Sequence, residues 1–121
     1  MRVLIVDDSA SMRDRLITII SRIKTMDVIC QMGNSLEAID LVRDFTPDVI
    51  TLDIQITSGR GIDLLRNIKK NKSQPIVIVF TNYTNPQYRK KCIEAGADYF
   101  FDKSSESEKL IEVLERLNRE F

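Results

Sequence analysis

Apolar residues are laid out along this chain in two alternating rhythms. Val3 to Val6, Val49 to Leu52 and Ile76 to Phe80 are short, nearly all-apolar runs rich in β-branched side chains. Such runs suit strands buried on both faces of a parallel sheet. Val28 to Met32 and Tyr99 to Phe101 are weaker and more mixed, and they predict flanking strands. Between the runs the spacing turns helical: Met12, Leu16, Ile19, Ile20 and Ile23; then Leu36, Ala38, Ile39 and Val42; then Ile62, Leu65 and Ile68. Each set predicts one apolar stripe facing a sheet. Asn34 with Glu37, and Ser105 with Glu108, have the capping-box spacing. Asn85 before Pro86 predicts an N-cap and first helical residue, and Gly96 predicts the left-handed residue that closes that helix. A last helix is expected over 106–120, with Leu110, Val113, Leu114 and Leu117 on one side.

Repeated strand-then-helix units with parallel strands cross over right-handed almost without exception, so this alternation predicts a doubly wound α/β sandwich. No linker, internal repeat or low-complexity tract interrupts it. A closed eight-unit barrel would need about twice the length. In open sheets of this kind ligands bind beyond the carboxyl ends of the strands, where the strand order reverses.

Composition narrows the picture. A chain of 121 residues is short of the typical domain of about 150, so one domain with no appended output module is expected. Area scaling predicts about 6,700 Å² of folded surface, against about 20,000 Å² unfolded. Eighteen basic residues balance eighteen acidic ones, so net charge favours neither nucleic acid nor an anionic membrane, and direct contact with either is not expected. Cys30 and Cys92 stand alone in apolar contexts and predict free, mostly buried thiols. The amino terminus turns acidic too soon for a signal peptide, and no apolar run approaches the ~20 residues of a membrane span. A cytoplasmic protein is expected.

The chemistry gathers at the predicted strand ends. Asp7 and Asp8 follow the first strand, Asp53 the third, Thr81 the fourth and Lys103 the fifth. Three carboxylates about 5 Å apart would repel by about 3 kcal/mol per pair at an effective dielectric of 20. A hard divalent cation such as Mg²⁺ compensates through oxygen ligands. Lys103 offers a second positive charge, and Thr81 a hydroxyl for an oxyanion. This set suits phosphoryl transfer to a carboxylate, with Asp53 as nucleophile.

These residues, taken in order, resemble the receiver domain of two-component response regulators, the CheY-like family. The matching pieces are Asp7-Asp8 after Val-Leu-Ile-Val, the approach Pro47 to Asp53, Gly61, Thr81, and Gly96-Ala97-Asp98 leading to Lys103. Each is weak alone; together, at family spacing, they span essentially the whole chain. The resemblance implies a flavodoxin-like (βα)5 sheet of order 2-1-3-4-5. It implies phosphorylation of Asp53 by a sensor histidine kinase or phosphotransfer protein. It implies Mg²⁺ held by Asp8, Asp53 and the main-chain carbonyl of Gln55, with Asp7 acting through water. Thr81 and Lys103 would contact the phosphoryl group, and Phe100 matches the family's switch aromatic. Output is then expected through the fourth helix, fifth strand and fifth helix (86–95, 99–101 and 106–117), toward an effector protein or a second copy of the chain.

Some positions depart from the family pattern. Ile56-Thr57 stand where Met-Pro is common, Asn82 replaces a small residue, and the resemblance implies that Gln55 and Tyr83 sit at loop positions that would adjust dephosphorylation. Ser104 stands where a proline, usually preceded by a cis bond, follows the lysine; a non-proline cis bond costs about 3 kcal/mol.

Bland readings stand beside these. Asp7-Asp8 could be a solvated turn, Thr81 a strand-end threonine, and Phe100 edge-strand packing. Arg89-Lys90-Lys91 and Lys69, Lys70, Lys72 read as solvated helix faces. Gly59-Arg60-Gly61 lacks the third glycine and preceding strand of a dinucleotide fingerprint. A haloacid-dehalogenase-like phosphatase would want Asp-x-Asp after its first strand. A flavodoxin would need a Ser/Thr/Gly-rich phosphate loop there. The remaining alternative is a receiver excised from a longer regulator.

Overall fold

A computed structural model describes residues 1–31, 35–55, 61–70 and 74–120. Five strands, β1 (Arg2–Val6), β2 (Asp27–Gln31), β3 (Val49–Leu52), β4 (Ile76–Thr81) and β5 (Tyr99–Asp102), alternate with five helices. These are α1 (Ala10–Ile20), α2 (Ser35–Phe45), α3 (Gly61–Lys70), α4 (Pro86–Glu94) and α5 (Ser107–Glu120). All strands are parallel, in the order β2-β1-β3-β4-β5. The flavodoxin-like doubly wound sheet expected from the sequence is therefore the observed fold.

Alternate residues of each strand feed opposite layers, as the two-residue pleat requires. Leu4, Val6, Ile50, Leu52, Val77, Val79 and Phe100 pack with α2, α3 and α4. Val3, Ile5, Val49, Ile78 and Phe80 pack with Leu16 and Ile20 of α1 and with Leu110, Val113, Leu114 and Leu117 of α5. The accessible surface is 6793 Å², close to the scaling expectation.

Two glycines are dictated by geometry. A Cβ on Gly61 would lie 2.2 Å from the Ile54 carbonyl oxygen, so only glycine lets α3 begin this close to the backbone behind Asp53. Gly96 has φ of 109°, and it follows α4 as predicted. Asn85 caps α4 through a 2.8 Å bond accepted from the Gln87 amide.

The start of α5 differs from expectation. The helix begins at Ser107, and the first intrahelical bond runs from the Leu110 amide to the Glu106 carbonyl. Ser105 and Glu108 therefore form no capping box there. Asp102, at the end of β5, organises the turn instead, because a strand-end aspartate reaches its own backbone two residues on at low cost. The box expected from Asn34, the end of β2 at Met32, the pair Ile56-Thr57, the Gly59-Arg60 segment and Lys72 lie outside the described residues. Cys92 is a free, buried thiol whose pKa burial pushes up to about 11, so it is not a reactive nucleophile at neutral pH. No helix among the described residues is long and apolar enough to cross a membrane.

Candidate functional site

Backbone pairing assembles the site before any side chain acts. The Asp53 amide donates to the Val6 carbonyl at 3.0 Å, and the Lys103 amide to the Thr81 carbonyl at 3.0 Å. Asp53 is thereby set beside Asp7, and Lys103 beside Thr81, all at the carboxyl edge. The order reverses between β1 and β3, so Asp7 and Asp53 flank the switch point.

One device recurs at four strand ends. Asp7 Oδ1 accepts from the Ser9 amide at 2.8 Å, Asp53 Oδ1 from the Gln55 amide at 3.0 Å, Thr81 Oγ1 from the Tyr83 amide at 3.1 Å and Asp102 Oδ1 from the Ser104 amide at 2.8 Å. Each is an Asx- or ST-type turn that ends a strand and spends one acceptor on the chain's own backbone. In both aspartates at the switch point the second oxygen is left to face the rim.

Those second oxygens meet a single cation. Lys103 Nζ lies 2.5 Å from Asp7 Oδ2 and 2.6 Å from Asp53 Oδ2. Their side chains are 6%, 4% and 9% exposed. Two buried carboxylates on one ammonium leave a formal charge of −1 in a poorly solvated place, where charge is costly. Thr81 is fully buried, and Asp8 is partly buried next to Asp7.

The donor chemistry fits a hard cation. The chain has no histidine, and the rim supplies carboxylates, a hydroxyl and main-chain carbonyls. That is an oxygen set suited to Mg²⁺ rather than to a softer metal. Among the described residues no three acidic, histidine or cysteine side chains are gathered as metal ligands would be. Asp7 and Asp53 do converge, and the positive group between them is the Lys103 ammonium.

Several supporting residues were not anticipated from the sequence. An Arg13 guanidinium nitrogen donates to the Asp7 carbonyl at 2.6 Å, pinning the β1–α1 turn. Asp102 accepts from the Ser104 hydroxyl at 2.6 Å as well as from its amide, and its own amide donates to Glu106 Oε1 at 3.0 Å. The legible signal was the recurrence of Asp at the end of a third strand. No cis peptide bond occurs among the described residues, so the Lys103–Ser104 bond is trans. Phe100 is buried against the α4 side, with the Arg89 guanidinium 5.4 Å above its ring. Tyr83 and Tyr88 meet edge to face at 4.2 Å, joining the turn after Thr81 to α4.

Comparison with known proteins bears on the family and the fold. The family described as "Response regulator receiver domain" matches residues 3–115. The sensory transduction protein LytT of Enterococcus faecalis is 31% identical over 120 residues, covering 99% of this chain and 49% of that protein. A protein-glutamate methylesterase/protein-glutamine glutaminase of Rhizobium johnstonii is 40% identical over 80 residues, 66% of this chain and 23% of the relative. The chain thus spans about a quarter of the methylesterase relatives it matches. Among solved structures, the response regulator domain of Thermotoga maritima CheB superposes with a TM-score of 0.82 at 32% identity, covering 98% of this chain and 94% of that one. A receiver domain from Colwellia psychrerythraea gives a TM-score of 0.90 at 22% identity over 98% of both chains; that likeness speaks to the fold.

Proposed function

This chain belongs to the response regulator receiver domain family of two-component signalling, and on that premise we propose that Asp53 is its phosphoacceptor. The observation that carries this is the convergence of Asp53 and Asp7, from different strands, on buried Lys103. A structural ion pair balances its charges. This one holds a surplus acid at the edge where open α/β sheets bind their ligands.

In the proposed reaction one Asp53 carboxylate oxygen bonds to phosphorus as the phosphoryl group's bond to its donor breaks. The leaving group departs with that electron pair. Asp53 is oriented by the Gln55 amide and held at the rim by Lys103. Asp53 is itself the substrate, so the chain acts as a phosphoacceptor rather than on a separate small molecule. Lys103, tethered by its amide to the Thr81 carbonyl, neutralises the incoming phosphoryl oxygens, and the buried Thr81 hydroxyl supplies a donor. Asp8, Asp53 and the Gln55 main-chain carbonyl, with Asp7 through water, would hold Mg²⁺. When bound, that ion supplies charge neutralisation for the transferring group.

An aspartyl phosphate carries about two negative charges, which draws Thr81 and Lys103 toward Asp53 and biases the packing of Phe100. The response then leaves through α4, β5 and α5 toward an effector protein or a second copy. The donor is a histidine kinase or phosphotransfer protein. Incubation with a small phosphodonor and Mg²⁺ should add one phosphoryl group to the wild type and none to Asp53→Asn, read by intact mass. Incorporation that survives Asp53→Asn overturns the assignment.

A further inference from the structure

We propose that Asp102 and Glu106 are positioning residues that set the aim of Lys103, a role resting on the proposed function for its consequence but not for its geometry. Lys103 lies between two peptide planes, and both are clamped. On its amino side, its own amide donates to the Thr81 carbonyl at 3.0 Å, while the Asp102 carbonyl accepts from the Ser105 and Glu106 amides at 3.3 and 2.8 Å. On its carboxyl side, the Ser104 amide donates to Asp102 Oδ1 at 2.8 Å, an oxygen that also accepts from the Ser104 hydroxyl at 2.6 Å. Glu106 closes the ring from below, its Oε1 accepting from the Asp102 amide at 3.0 Å and its Oε2 from Lys109 Nζ at 2.8 Å.

With both flanking planes fixed, the two soft dihedrals of Lys103 are fixed too, and with them the direction of its Cα–Cβ bond. A four-carbon side chain has ample freedom to miss two carboxylates. Fixing its root removes much of that freedom, so Nζ reaches both Asp7 and Asp53. The hydrogen bonds to Ser104 and Lys109 also hold the Asp102 and Glu106 carboxyls below the usual carboxylate range, so both clasping groups are ionised at neutral pH.

A residue that only starts α5 would affect folding and leave Lys103 unchanged in the folded protein. The test compares Asp102→Ala and Glu106→Ala with Asp102→Asn and Glu106→Gln, which keep the accepting oxygens. Ser104→Ala, at an exposed position, is the milder variant. Two readouts are followed on protein shown folded by far-UV circular dichroism: the Lys103 side-chain ammonium resonance, and the rate of phosphorylation by a small phosphodonor with Mg²⁺. The alanine variants should displace or broaden the Lys103 signal and slow phosphorylation about tenfold, the scale expected when a reacting group is misplaced. The Asn and Gln variants should restore both. An unchanged Lys103 signal in both Asp102→Ala and Glu106→Ala overturns the proposal. So does a displaced signal with wild-type phosphorylation rate. If the wild type accepts no phosphoryl group, the proposed function fails, and the Lys103 signal alone decides whether the clasp aims the lysine.

Discussion

β5 is flanked by two lysine–carboxylate contacts, and they are built on opposite principles. Just before the strand, Lys69 of α3 bonds Asp98 Oδ2 at 2.9 Å and the Pro75 carbonyl at 3.1 Å, while the Val77 amide donates to the same Asp98 oxygen at 2.8 Å. One cation meets one anion, spare lone pairs are taken up by backbone, and the pair is 19% and 38% exposed. Just after the strand, Lys103 faces two acids in a place almost closed to water. The first arrangement is satisfied and ties α3, β4 and β5 together. The second is short of positive charge. That deficit separates an ion pair that holds a fold from one that, on the proposed function, receives a cation and a phosphoryl group.

Removing each lysine should expose this contrast. Lys103→Met leaves two buried carboxylates without their cation and should cost about 3–5 kcal/mol. Lys69→Met keeps its apolar stem and should cost about 1 kcal/mol, the scale of a partly exposed pair. Urea denaturation at neutral pH measures both, and equal losses would erase the distinction. Adding Asp53→Asn to Lys103→Met should recover much of the loss.

The acids should separate in the opposite sense. Asp98→Ala strips the Val77 amide and Lys69 of their partner and should destabilise by about 2 kcal/mol, with phosphorylation by a small phosphodonor unaffected. Asp53→Asn should abolish phosphorylation without loss of stability, because it removes a charge in surplus. A stability loss in Asp53→Asn matching that of Asp98→Ala would show the rim to be structural.

A smaller effect lies in β3, two residues before Asp53. Thr51 is buried with a hydroxyl that has no hydrogen-bond partner among the described residues. Thr51→Val should therefore raise stability by about 1 kcal/mol. A neutral or negative change would mean that the hydroxyl is satisfied in solution.

The mildest test is pH. Hydrogen bonds from Ser104 lower the pKa of Asp102, and the bond from Lys109 lowers that of Glu106. A depressed carboxylate contributes stability that is complete above its ordinary range and fades as pH falls through its lowered value. The urea midpoint should thus decline on the acid side. The Asp102→Asn, Glu106→Gln double variant should show a shallower decline, and an identical slope would argue that neither carboxylate is engaged in solution.

Much of this was legible in the sequence, for definable reasons. Burial on both faces forces β1, β3 and β4 to be almost wholly apolar, so their ends, and with them Asp7, Asp53 and Thr81, could be read directly. The strand order came from the family resemblance, since periodicity carries no information about which strands are neighbours. The start of α5 was misread because Ser105 and Glu108 have capping spacing, yet Asp102 had already claimed the turn; a local signal lost to one anchored in the preceding strand. Arg13 could not be foreseen as a clasp, because a guanidinium on a helix gives no sign in sequence of which carbonyl it will reach.

The four matching turns at the strand ends have a further consequence. Asp7, Asp53, Thr81 and Asp102 are each tied to the amide two residues on, within their own turn. On the proposed function, each of these turns is a separate place at which the response could be retuned, with Lys103 as the link between the first two.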